Sequence, residues 1–150
     1  MSKEILENLN ILLEAVKAHP ESGFSLENFR RDHPCGTNFC TIGLATTLPH
    51  FIEKGYELRP TNQWRRRFAL FVKNVPFTAD VFMLDKDFGS SSWDRLFDSA
   101  GASSLDRHNE KFSNWRLYPA TREHEEEEYP HQKDLAIWRL ERQIARYIVQ

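Results

Sequence analysis

The sequence predicts a mainly α fold: one compact domain over residues 1–150, built of about five helices with room for a short β-hairpin. Three observations carry that expectation. Apolar residues recur at helical spacing at both ends of the chain. Prolines at Pro20, Pro34, Pro49, Pro76 and Pro130 divide what lies between into short pieces. The chain of 150 residues, 40% hydrophobic and 28% charged, is balanced like a globular protein and is short for two domains.

In the first element, Ile5, Leu6, Leu9, Leu12, Leu13 and Val16 form the stripe of an amphipathic helix over about residues 3–18. Ser2 is available as its N-cap, Glu4 and Glu7 suit the positive end of the helix dipole, and Pro20 follows the end. Phe24, Leu26 and Phe29 then anchor a short strand or a single turn, and His33-Pro34 breaks the chain. The segment Cys35-Gly36-Thr37-Asn38-Phe39-Cys40-Thr41-Ile42-Gly43-Leu44-Ala45 reads as a tight turn entering a helix. Thr37 is its expected N-cap and Pro49 its expected limit.

From Arg59 to Lys73 the chain carries Arg59, Arg65, Arg66, Arg67 and Lys73 and no acid. Trp64, Phe68, Phe71, Val72 and Val75 recur there at helical spacing, with a strand competing because Phe68–Val72 is partly aromatic and β-branched. Thr78 could cap a short helix running towards Leu84. Asp85–Ser92 reads as a turn, and Trp93–Phe97 as a brief helical turn capped by Ser91 or Ser92. Residues 99–131 are expected to be irregular and partly mobile, with five Glu in the six positions 123–128. The last element is a helix with Leu135, Ile137, Trp138, Leu140, Ile144, Tyr147 and Ile148 on its apolar stripe. Arg139, Arg142 and Arg146 are expected on its exposed side.

Composition excludes several functional classes. With 20 Lys+Arg against 22 Asp+Glu the net charge is −2, which rules out a basic coat for nucleic acid but not a local patch. No run approaches the ~18 apolar residues of a membrane span, and Glu4, Glu7 and Glu14 interrupt the apolar residues that a signal peptide would need. Two cysteines, Cys35 and Cys40, are too few for a secreted disulfide scaffold, so a cytoplasmic protein with reduced thiols is expected, although a bridge between the two stays open.

The most informative motif is Cys-Gly-Thr-x-x-Cys-x-x-Gly-x-Ala, formed by Cys35, Gly36, Thr37, Cys40, Gly43 and Ala45. It resembles the second element of a family of small, largely uncharacterised phage and bacterial proteins, whose first element is Phe-Asp-Met-x-x-Trp. Phe24, Leu26 and Phe29 match that first element loosely, with Ser25 in place of Asp. Phe88-Gly89, Leu96-Phe97 and the Leu140–Ile148 helix look like its later landmarks. The resemblance implies a phage-type accessory protein, in the host cytoplasm if phage-encoded, and an anti-defence role. It carries no activity or cofactor with it.

Four chemistries fit the motif and its surroundings. A helix start after Cys35 would offer the amides of Gly36, Thr37 and Asn38 to a phosphate-containing, nucleotide-like anion, with Arg65, Arg66 and Arg67, or Arg30 and Arg31, neutralising charge. A thiol hydrolase would use Cys35 as nucleophile, in faint likeness to the Cys-Gly-Ser-Cys run of papain-like proteases. None of the six histidines is singled out as its base. A zinc site from His33, Cys35, Cys40 and His50 lacks knuckle spacing, so no metal is expected. Packing of small residues accounts for the same pattern without any ligand.

Trp64-Arg65-Arg66-Arg67-Phe68 mixes stacking and phosphate-binding side chains, but an acidic block in the same chain disfavours duplex nucleic acid as partner. That block, Glu125, Glu126, Glu127 and Glu128 with Tyr129, could instead bind a basic site on a host protein. The preferred expectation is therefore a binding protein rather than an enzyme, sequestering an anionic small molecule. An inhibitor of a host protein is the alternative and a thiol hydrolase the third; a homo-oligomer stays open.

Overall fold

A computed structural model of the chain describes residues 2–20, 23–24, 30–33, 36–63, 66–76, 82–89, 96–97 and 132–148. Among these, helix outweighs strand, and five helices stand beside two small antiparallel sheets. Helix α1 (Ser2–Ala18) starts one residue earlier than its stripe implies and buries Leu9, Leu12, Leu13 and Val16. Strands β1 (Arg30–His33) and β2 (Gly36–Phe39) pair antiparallel, with Arg30 opposite Phe39 and His33 opposite Gly36. Phe24 bridges Phe39 on the other edge of β2.

The helix expected to begin at Thr37 begins at Thr41 instead: α2 spans Thr41–Ala45. Its N-cap is Cys40, whose Sγ accepts a hydrogen bond from the Gly43 amide at 3.4 Å. Gly36, Thr37 and Asn38 lie on a strand, where the ladder to β1 takes up backbone hydrogen-bonding groups. Pro49 opens the next helix rather than closing this one, standing in the first turn of α3 (Pro49–Glu53), where a missing N–H leaves no helix bond unmade.

The basic run is a hairpin, not a helix. Strands β3 (Tyr56–Gln63) and β4 (Arg66–Val72) pair antiparallel, and the short β5 (Val75–Pro76) extends the sheet through a turn at Lys73 and Asn74, both at positive φ. Its buried face holds Tyr56 opposite Val72, with Leu70 two pairs along, opposite Leu58. Continuous apolar character over Phe68–Val72 hides this alternation in the sequence.

Asp85 and the residues after it, expected as a turn, are helical through Phe88 in α4 (Phe82–Phe88). Gly89 ends that helix at φ +108, its amide bonded to the Asp85 carbonyl at 2.8 Å. Helix α5 (Gln132–Ile148) lies along α1, and Lys133 near its start donates to the Lys17 carbonyl near the end of α1 at 2.9 Å. One buried cluster gathers side chains from all five helices and from the β3–β4 sheet, including the ring contacts of Phe51, Tyr56, Phe88 and Phe97. No helix among the described residues is long and apolar enough to cross a membrane.

The face of α5 differs from the expected one. Its buried positions are Leu135, Ala136, Arg139, Leu140, Gln143 and Ile144, so Arg139, expected in solvent, is wholly buried, while Ile148 is exposed. The Thr78 cap, most of the Trp93–Phe97 turn and the irregular region 99–131 lie outside the described residues.

Candidate functional site

Two regions stand out: the junction between the sheets and a buried polar hub at the end of α4. At the junction, β1 lies against β4. The Arg30 guanidinium sits over the Phe68 ring, 4.8 Å from its centroid, so an arginine of one sheet stacks on a phenylalanine of the other. Strand β1 carries Arg30, Arg31 and Asp32, and β4 carries Arg66 and Arg67 and no acid. Gly36, Thr37 and Asn38 sit one strand further on, paired with β1.

Arg59 does not join this group. Its guanidinium lies 4.0 Å from the centroid of Phe71, and its Nε donates to Glu57 at 2.8 Å. One of its terminal nitrogens also donates to Glu57 and to Asn74, the latter at 2.7 Å. That arginine holds the sheet surface and the β4–β5 turn.

The hub is made of groups the sequence did not single out. A helix leaves its last carbonyls without partners, and α4 ends inside the protein. Asn8 of α1, wholly buried, donates from Nδ2 to the Asp87 carbonyl at 2.8 Å. Gln143 of α5 donates from Nε2 to the Phe88 carbonyl at 3.1 Å. The Asp87 carboxylate accepts the Tyr56 hydroxyl at 2.6 Å. Burial, and then the charge of Asp87, push the Tyr56 phenol far above its usual range.

Asn8 has a second task. Because its Nδ2 faces a carbonyl, its Oδ1 must accept, and it does so from His50 Nε2 at 2.7 Å. His50 is therefore held with its proton on Nε2. Four residues before Asn8 and four after His50, Lys54 at the C-cap of α3 meets Glu4 at 2.8 Å, so α1 is tied to α3 and its cap by two polar rungs. That pairing holds the Glu4 carboxyl below the ordinary carboxylate range and the Lys54 ammonium above its own. Truncating Asn8 to Ala removes two hydrogen bonds and strands the Asp87 carbonyl in the core. Urea unfolding is expected to show a loss of about 2 kcal/mol, and a loss too small to measure would contradict the hub.

Cys40 is a free thiol, buried as the cap of α2. Burial pushes it up to about 11, so at neutral pH it stays protonated. Iodoacetamide at pH 7.5 is expected to leave Cys40 unlabelled in the folded protein and to label it in urea. Rapid labelling of the native protein would show that the cap opens. Cys35, the nucleophile of the thiol-hydrolase alternative, lies outside the described residues, as do the side chains of Thr37, Asn38, Arg65, Arg66 and Arg67 and the whole of Glu125–Tyr129. Among the described residues, no three His, Cys, Asp or Glu side chains gather as a metal site.

No family model, curated protein or solved structure matches the chain.

The sequence points to the arginines of β1 and β4 but not to the contact between these two strands. Neither the Arg30–Phe68 stack nor the Asn8–His50 pair has a local signal, because each joins residues some forty positions apart.

Proposed function

We propose that the protein is a phage-type accessory protein that sequesters a phosphate-containing, nucleotide-like anion on the basic face where β1 meets β4. The observation that supports this reading is the contact of Arg30 on β1 with Phe68 on β4, which sets two arginine-bearing strands from separate sheets beside one another. Guanidinium groups take phosphate oxygens in bidentate fashion, and both of these strands carry neighbouring arginines. Capture rests on these side chains rather than on a helix start, because Gly36–Phe39 is a strand. The likeness of the Cys35–Ala45 segment to phage and bacterial proteins supports an anti-defence role, withdrawing a nucleotide signal from the host.

The reading is tested by thermal unfolding against tripolyphosphate and a panel of linear and cyclic nucleotides. At a hundredfold excess over Kd, a ligand of the folded state adds about 2.7 kcal/mol. For a chain of this size that raises Tm by roughly 5–10 °C. The shift is expected to vanish when Arg66 and Arg67 are both changed to Ala. No shift with any member of the panel would refute the reading.

A further inference from the structure

We infer that Cys35 and Cys40 form a redox switch: the dithiol belongs to the folded β1–β2 hairpin, and the disulfide to a form in which that hairpin has come apart. These are the two cysteines of the chain, and the residues between them are those of strand β2, Gly36–Phe39. Cys40 continues the extended course, at φ −84 and ψ 178, before α2 begins. Four steps of strand at ~3.3 Å each put the Cα atoms of Gly36 and Cys40 about 13 Å apart. Cys35 is bonded to Gly36, so its Cα lies ~3.8 Å from that of Gly36 whatever its own conformation. The two cysteine Cα atoms are then at least about 9 Å apart, whereas a disulfide spans no more than about 7 Å.

Bridging therefore requires β2 to shorten, which its ladder to β1 forbids: Arg31 stands opposite Asn38 and Asp32 opposite Thr37. It would also draw the Cys40 sulfur away from the Gly43 amide, uncapping a helix whose residues Thr41–Ala45 are all buried. By linkage, folding of the hairpin and formation of the bond each disfavour the other by the same factor. A small-molecule disulfide such as oxidised glutathione supplies the oxidant. One cysteine thiolate attacks it, releasing one glutathione and forming a mixed disulfide, and the second thiol then attacks that bond and releases the other. The protein loses two electrons and two protons, and the oxidant is reduced to two glutathione thiols. Cys40 is buried and protonated at neutral pH, so its step waits for the hairpin to open.

The experiment incubates the protein with oxidised glutathione at pH 8, in buffer and in urea, and follows the bridge by mass spectrometry as the loss of two hydrogens. Bridging is expected to be at least about tenfold slower in buffer, because it needs the hairpin to open first. The bridged protein is then returned from urea to buffer, beside protein carried through urea without oxidant. Faster amide hydrogen exchange is expected over Arg30–His33 and Gly36–Ala45 in the bridged form, with protection restored by dithiothreitol. Equal rates in buffer and urea would overturn the switch. So would a bridged protein with native protection over the hairpin, or a pair that stays unbridged in urea.

Discussion

Gly89→Ala is expected to destabilise the protein by about 3 kcal/mol, because it combines backbone strain with overpacking. Gly89 sits at φ +108, outside the range that a residue with a Cβ adopts readily. A Cβ there would run into the Tyr147 hydroxyl and stand 2.6 Å from Gln143 Nε2. Neither neighbour is a loose surface chain: Gln143 is buried and already bonded to the Phe88 carbonyl. Moving it aside would strand the last carbonyl of α4, so relaxation at one point creates a defect at another. In urea the unfolding midpoint should fall markedly with an unchanged slope. A change under about 1 kcal/mol would mean that α5 yields easily and that the hub at the end of α4 is looser than its hydrogen bonds indicate.

Arg139→Ala is expected to cost about 3–5 kcal/mol, more than any apolar truncation on the same helix. Arg139 is wholly buried and the bulkiest of the fully buried side chains, and it is partnered rather than orphaned. Alanine removes its stem from the packing between Leu135, Ala136 and Leu140 and leaves its partners unsatisfied. Arg139→Met separates the two contributions by restoring most of the volume without the guanidinium. If the polar contacts dominate, methionine should recover less than half of the loss, as measured by urea unfolding. An Arg139→Ala variant as stable as wild type would place this side chain on the surface and restore the amphipathic reading of the sequence.

These two residues also mark the limit of what periodicity shows. Helix α1 was legible because all its buried residues but Asn8 are apolar and fall on one stripe. On α5 the length and position were legible, but the buried face was misplaced by a small rotation. Arg139 and Gln143 occupy inward positions that a hydrophobicity pattern assigns to solvent, whereas Ile148 is apolar and exposed. The same limit hid the hub. An asparagine, a glutamine, a tyrosine and an aspartate have no common signature until four elements meet around the end of α4.

The candidate site was legible in composition and misread in conformation. The arginine run falls on the β3–β4 hairpin and the Cys-Gly-Thr segment on β2, whose partner β1 lies against β4. But Gly36 and Thr37 were given to a turn and a helix cap, where the chain makes a ladder, and the cap fell to Cys40. A sulfur accepts hydrogen bonds weakly, so cysteine is a poor cap on propensity grounds, while Thr37 is a good one. Tertiary pairing of β1 with β2 overrides that local preference. Across the Arg59–Lys73 run, neighbouring arginines in the sequence suggested one continuous patch. The hairpin divides it, and Arg59 is drawn into contacts with Glu57, Phe71 and Asn74.

The proposed anion capture where β1 meets β4 depends on arginine side chains and not on a helix start. The most direct measurement is an amide chemical-shift titration of the folded protein with tripolyphosphate. Saturating shifts are predicted at Arg30–His33 and Arg66–Phe68, with the Thr41–Ala45 amides of α2 unmoved. Shifts concentrated at Thr41–Ala45, or no shift at any amide up to millimolar ligand, would contradict the account.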